Sequence, residues 1–168
     1  MKKNRVIVKG RMAFAHLNNP SNVDKKYGMT LIISKDDDQS VGRIKEAIEC
    51  VKESSKEKWG GYVPNNLKIP LHDGDIEKPE KAQFRNSFYL NAKCSDPPQI
   101  VDRNVEPIEN RAEVYSGCFI NVSLVFYGYN MSGNRGIGVW LGNIQKIKDG
   151  PRMAKNHIDA RDEFEVIV

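Results

Sequence analysis

Several stretches of this chain alternate, residue by residue, between an apolar set and a set rich in aromatic and basic side chains. That period of two commits them to β-strands with one buried face. The clearest runs from Arg85 to Cys94. Phe88, Leu90, Ala92 and Cys94 fall on one side, and Arg85, Tyr89 and Lys93 fall on the other with Ser87 and Asn91. A sheet face furnished in this way suits a flexible anion carrying flat rings, which is the chemistry of a single-stranded nucleic acid.

The pattern recurs along the chain. From Arg5 to Phe14, Val6, Val8, Met12 and Phe14 share one parity against Arg5, Lys9 and Arg11, and Gly10 reads as a bulge where the strand bends. From Tyr27 to Ser34, one side carries Tyr27, Met29, Leu31 and Ile33. Gly117–Tyr129 and Gly136–Lys148 read as a hairpin around Asn130–Arg135. Its first strand turns Ile120, Val122, Leu124 and Phe126 inward, with Phe119, Asn121, Ser123, Tyr127 and Tyr129 opposite. Its second buries Ile137, Val139 and Leu141 and presents Trp140, then slips parity near Asn143–Ile144, which predicts a bulge.

One segment changes period. Val41, Ile44, Ala47, Ile48 and Val51 follow the three-and-four spacing of a helical face. The acidic run Asp36–Asp38 suits the start of that helix, and Gly60-Gly61 stops it. Residues 62–82 read as a long irregular connection. Several strands and one helix, without βαβ alternation, predict a mainly β fold: an OB-like small β-barrel with one long inserted helix, 38–58, and long loops. The barrel is expected to occupy 1–158 as one domain, with a short acidic C-terminal tail at 159–168.

Composition narrows the function. At 168 residues the chain suits one domain with a proper core. No apolar run approaches the ~20 residues of a membrane span. Lys9 and Arg11 interrupt the only apolar stretch near the start, so a signal peptide is not expected and the location reads as cytoplasmic, with no membrane association. Cys50, Cys94 and Cys118 are odd in number and contain no C-x-x-C pair, which disfavours a disulfide framework or zinc site. His16, His72 and His157 lie far apart, and no metal or other cofactor is expected. Residues 159–168 set Asp159, Asp162, Glu163 and Glu165 against Arg161 alone, so of the chain's +4 this tail takes −3 and the body carries +7. Such asymmetry fits a polyanionic partner.

Two motifs invite other readings. Asp73, Asp75 and Glu77 begin like a calcium loop, but Lys78 occupies the position that needs glycine and Phe84 the position that needs glutamate. The same carboxylates keep a divalent-metal nuclease open as an alternative. Gly133-Asn134-Arg135-Gly136-Ile137-Gly138 has the wrong glycine spacing for a dinucleotide fingerprint and lies between strands. Strand parity therefore nominates Tyr89, Trp140, Tyr127, Tyr129 and Phe119 for base stacking. For phosphate contacts it nominates Lys9, Arg11, Arg85, Lys93, Arg135, Lys146 and Lys148.

The chain also resembles the phage-encoded single-stranded-DNA-binding proteins with an OB fold. The resemblance runs nearly end to end, through Tyr27–Ile33, Lys58-Trp59-Gly60, Ile69–Asp75 and Tyr89–Lys93. Its most specific segments are Val114–Cys118 and Leu141–Gly150. It implies sequence-independent binding of single-stranded DNA in phage replication or recombination, without enzymatic activity. It also implies a partner-binding tail, matched here by Asp162, Glu163, Phe164 and Glu165, although this chain finishes on the apolar Val166-Ile167-Val168. A homodimer is left open, as is the alternative of a phage structural or assembly protein that uses its aromatic face as a subunit interface.

Overall fold

A computed structural model describes residues 3–153 and 164–168. In chain order the elements are β1 (Arg5–His16), β2 (Tyr27–Ser34), α1 (Asp38–Ser54), β3 (His72–Asp73), α2 (Gly74–Glu77), β4 (Ser87–Cys94), β5 (Ile100–Val101), β6 (Phe119–Met131) and β7 (Asn134–Lys148). β1 belongs to two neighbours. Its first part pairs antiparallel with β6, from Arg5↔Val125 to Arg11↔Phe119, and its second with β2, from Arg11↔Ile32 onward. β2 pairs with β4 and β6 with β7, and a parallel pairing at Lys93↔Trp140 joins β4 to β7. The ring β1-β2-β4-β7-β6 is therefore closed.

The barrel interior is the predicted apolar parity. Leu31, Ile33, Leu90, Ala92, Ile120, Leu124 and Phe126 are fully buried there, joined by Ile137, Val139 and Leu141. Gly10 is not a bulge, because its pairing with Ile120 continues the β1–β6 register. It instead marks a close approach where β1 changes partner: a Cβ would lie 2.6 Å from the Leu31 side chain. The irregularity in β1 falls between Ala13 and His16. The bulge predicted in β7 is present: between the pairs Val122↔Ile144 and Leu124↔Leu141, the single residue Ser123 opposes two, Gly142 and Asn143. The β6–β7 turn is the pair Ser132-Gly133 with φ of 55° and 87°, both positive as a tight right-twisted hairpin requires.

α1 stops at Ser54, earlier than the predicted 58, and the chain tightens into a 3-10 turn at Lys56–Trp59 before Gly60 at φ 92°. Helical periodicity persists through that turn, so sequence alone overruns the end. Asp37 caps the helix by accepting from the Ser40 N–H. Ser40 Oγ in turn accepts from the Lys9 N–H, and Arg43 donates to the Ile7 carbonyl, so α1 covers the unpaired edge of β1. At its other end the fully buried Trp59 donates from Nε1 to the Tyr129 carbonyl at 2.9 Å. Residues 62–82 are less irregular than expected: β3, α2 and the following turn fold back over the outside of the barrel. Among the described residues, no helix is long and apolar enough to cross a membrane.

Candidate nucleic-acid interface

The outer faces of β6 and β7 carry a row of rings. Tyr127 pairs with Gly138 and Tyr129 with Gly136, and each glycine makes room for the opposite tyrosine. A Cβ on Gly138 would come within 2.4 Å of the Tyr127 ring, and one on Gly136 within 2.5 Å of the Tyr129 hydroxyl. With its floor cleared, Tyr127 stacks on Trp140 at 4.9 Å between centroids. Tyr129 continues the row 6.4 Å from Tyr127. Trp140 is 37% exposed. Lys26 Nζ sits 5.3 Å over that ring, and Lys93, paired to Trp140 across the barrel seam, brings a second cation. Lys93 is held by Asp24 of the β1–β2 loop, and the ammonium pulls the Asp24 carboxyl below the usual carboxylate range.

Of the residues nominated by parity, then, the fold brings together Trp140, Tyr127, Tyr129 and Lys93. Phe119, Arg11, Lys146 and Lys148 form a second group at the other end of β6. Arg11 and Lys148 lie over the Phe119 ring at 5.6 and 4.9 Å. This group is engaged in holding the chain after β7. Arg11 donates to the carbonyls of Gly117 and Pro151, and Lys146 pairs with Asp149. Tyr115, which sequence parity did not nominate, donates to the Gly150 carbonyl and carries Arg152 over its ring at 4.0 Å.

The remaining nominees lie elsewhere. Lys9 sits where β1 meets the start of α1. Arg135 donates to the Trp59 carbonyl at 3.4 Å near Tyr62. Arg85 is not on β4 at all, because the strand begins at Ser87. Phe164 and Glu165 are exposed, whereas Asp162 and Glu163 lie outside the described residues.

Two expectations need correction. Tyr89 points out of the barrel as parity predicts, yet it is only 8% exposed. His72 stacks on its ring at 5.0 Å, Phe84 meets it edge-on at 5.0 Å, and Ala13 and Ile32 complete a small second core. Alternation tells which side of a strand a residue takes, not whether another segment roofs it. Phe14 errs in the opposite sense. Grouped by parity with the buried Val8 and Met12, it has φ 49° at the β1 irregularity, and its ring is 47% exposed. Lys81 Nζ lies 5.5 Å over that ring.

The carboxylates of the possible metal site are otherwise occupied. Lys35 Nζ reaches Asp73 and Asp75, each at 2.8 Å, and this hydrogen-bonded cation holds both carboxyls below their ordinary range. Glu77 pairs with His72 at 2.9 Å. Among the described residues, no three His, Cys, Asp or Glu side chains converge as a metal site would need.

A closed five-stranded barrel with one substantial helix and an aromatic, cationic outer face places the chain among the OB-like folds. The chain belongs to the family described as "Enterobacter phage Enc34, ssDNA-binding protein", whose model matches residues 3–167. It is 29% identical over 169 residues to putative protein p50 of Acyrthosiphon pisum secondary endosymbiont phage 1, covering 92% of this chain and 89% of that protein. Its fold resembles that of the single-stranded DNA-binding protein from bacteriophage Enc34 in complex with ssDNA, with a TM-score of 0.78, 23% identity and 91% of each chain covered. It also resembles gp2.5, the single-stranded DNA-binding protein of bacteriophage T7, with a TM-score of 0.69 and 16% identity over 96% of this chain and 94% of that one.

Proposed function

We propose that this protein binds single-stranded DNA without sequence preference, as a non-enzymatic factor in phage DNA replication or recombination in the bacterial cytoplasm. The observation that carries the reading is the Tyr129–Tyr127–Trp140 row beside Lys26 and Lys93. Rings stack on any base, since every base has a π-face, and cations hold the backbone, so affinity needs no particular sequence. Family membership and the single-stranded-DNA binding named for its structural relatives support the same reading.

The decisive experiment is a titration with single- and double-stranded oligonucleotides over a salt series. Single strands are expected to bind more tightly than duplex, with affinity falling steeply as salt rises because neutralised phosphates release counterions. Equal affinity for both forms, or no salt dependence, refutes the reading. A cleavage assay with magnesium or manganese tests the non-enzymatic part: appearance of cut strands would favour Asp73, Asp75 and Glu77 as a nuclease centre.

The division into a DNA-binding body, 1–158, and an acidic tail, 159–168, belongs to the same proposal. The −3 of that tail beside the +7 of the body gives it reason to compete for the cationic surface or to engage replication proteins through Asp162, Glu163, Phe164 and Glu165. Deleting 159–168 is expected to tighten single-strand binding, chiefly at low salt where screening is weak. Unchanged affinity accompanied by a lower melting temperature would show the segment to be structural.

A further inference from the structure

Beside Trp140, on the outer face of β1, β2 and β4, lies a cavity of about 200 Å³ bordered by Phe14, Thr30, Asn91, Lys26 and Lys93. We infer that it is a subsite for one unpaired nucleobase, which it recognises through the edge that base pairing would occupy. The inference rests on the single-strand-binding reading above and adds a role that stacking does not supply.

The floor is polar and oriented. Thr30 Oγ1 donates to Asn91 Oδ1 at 2.6 Å across the β2–β4 pair. That bond fixes the amide so that its Nδ2 faces away from Thr30, and among the described residues Nδ2 has no acceptor. Thr30 is 7% exposed and Asn91 exposed, so a buried hydroxyl orients an amide whose donor is accessible to an incoming base. Each of the four bases has an acceptor on its pairing edge, so one amide N–H can meet any of them. A paired base has that edge taken. The site therefore reads whether a base is free and is indifferent to which base it is.

The walls suit a flat ring followed by a phosphate. Phe14 borders the cavity from a strained left-handed conformation that an aromatic residue rarely adopts. Without that turn its ring would follow the parity of Met12 into the barrel. Lys26 both lines the cavity and covers Trp140, so a base in the cavity and a base on Trp140 share one cation between them. Lys93, at the same rim, would exchange its Asp24 partner for a phosphate.

The test compares an oligothymidylate with the same strand built from the 2,4-difluorotoluene isostere of thymidine, whose rings still stack but whose pairing edge lacks the carbonyl acceptors. The wild-type protein is expected to bind the unmodified strand about fivefold more tightly, the worth of roughly one hydrogen bond. Asn91→Ala should lose that difference. Because this variant strands the Thr30 hydroxyl, the double variant Thr30→Val, Asn91→Ala, which removes both partners, is measured beside it and should also bind the two strands equally. If wild type binds both strands equally, or the variants retain the preference, the subsite is refuted while single-strand binding stands. If wild type binds neither strand, both readings fall.

Discussion

At the scale of single residues, position on a strand and accessibility are separate properties, and only the first is written in the alternation. Trp140 and Tyr89 are both legible as outward-pointing rings, yet Trp140 remains 37% exposed while Tyr89 is covered by Phe84 and His72. Phe84 comes from outside β4, so no pattern within that strand foretells the cover. Phe14 departs from the parity it shares with Met12 because a single left-handed residue shifts the period locally, and that residue is not a glycine that would signal the change. The two rings should consequently respond differently to truncation. Trp140→Ala is expected to weaken single-strand binding by about 1–3 kcal/mol while the melting temperature changes little. Tyr89→Ala is expected to cost about 3 kcal/mol of stability, because it empties a buried site. Binding isotherms alongside thermal melts distinguish them: the Trp140 assignment fails if that variant mainly destabilises the fold, and the Tyr89 assignment fails if its variant melts like wild type.

At the scale of elements, the helix was the most legible part of the chain and its attachment the least. Five apolar positions at helical spacing located α1, but nothing in them said that its polar start would complete a strand. Ser40 does so by accepting from the Lys9 N–H at 3.1 Å, while its own N–H is capped by Asp37. The result is a chain of hydrogen bonds from helix cap to strand edge, with Ser40 only 2% exposed. Ser40→Ala would leave the Lys9 donor without its partner in a site largely closed to water. A loss of about 1–3 kcal/mol is expected, measured as a shift in the denaturant midpoint. Faster amide exchange at Lys9, with protection in β4 unchanged, would localise the damage to this junction. An unaltered midpoint would show that water replaces the hydroxyl at no cost.

For the whole molecule, ion pairs tie peripheral segments to the barrel and its edges. Lys35, next to the end of β2, binds Asp73 and Asp75 of the β3–α2 segment; Lys93 on β4 binds Asp24 of the β1–β2 loop; Lys146 on β7 binds Asp149. Their specific pairings could not be inferred from +4 net charge or from the spacing of charged residues, because each joins segments that meet only in the closed barrel or where the chain turns after β7. The hydrogen-bonded lysines lower the carboxyl pKa of all four aspartates from the ordinary 3.8. A carboxyl with a lower pKa folded than unfolded contributes stability that is fully present above its unfolded pKa, and it loses that contribution as pH falls through its folded value. For Lys35 the shift is upward from 10.5, so its contribution disappears only under strongly alkaline conditions. Melting temperature should therefore be level near neutrality and fall below about pH 4. Lys35→Met removes the cation that holds two of these carboxyls down, so its curve should start lower at neutral pH and converge on wild type in acid. Parallel curves across the acid range would show that the Lys35 pairs do not govern the acid limb, and the protonation of other carboxylates would then have to account for it.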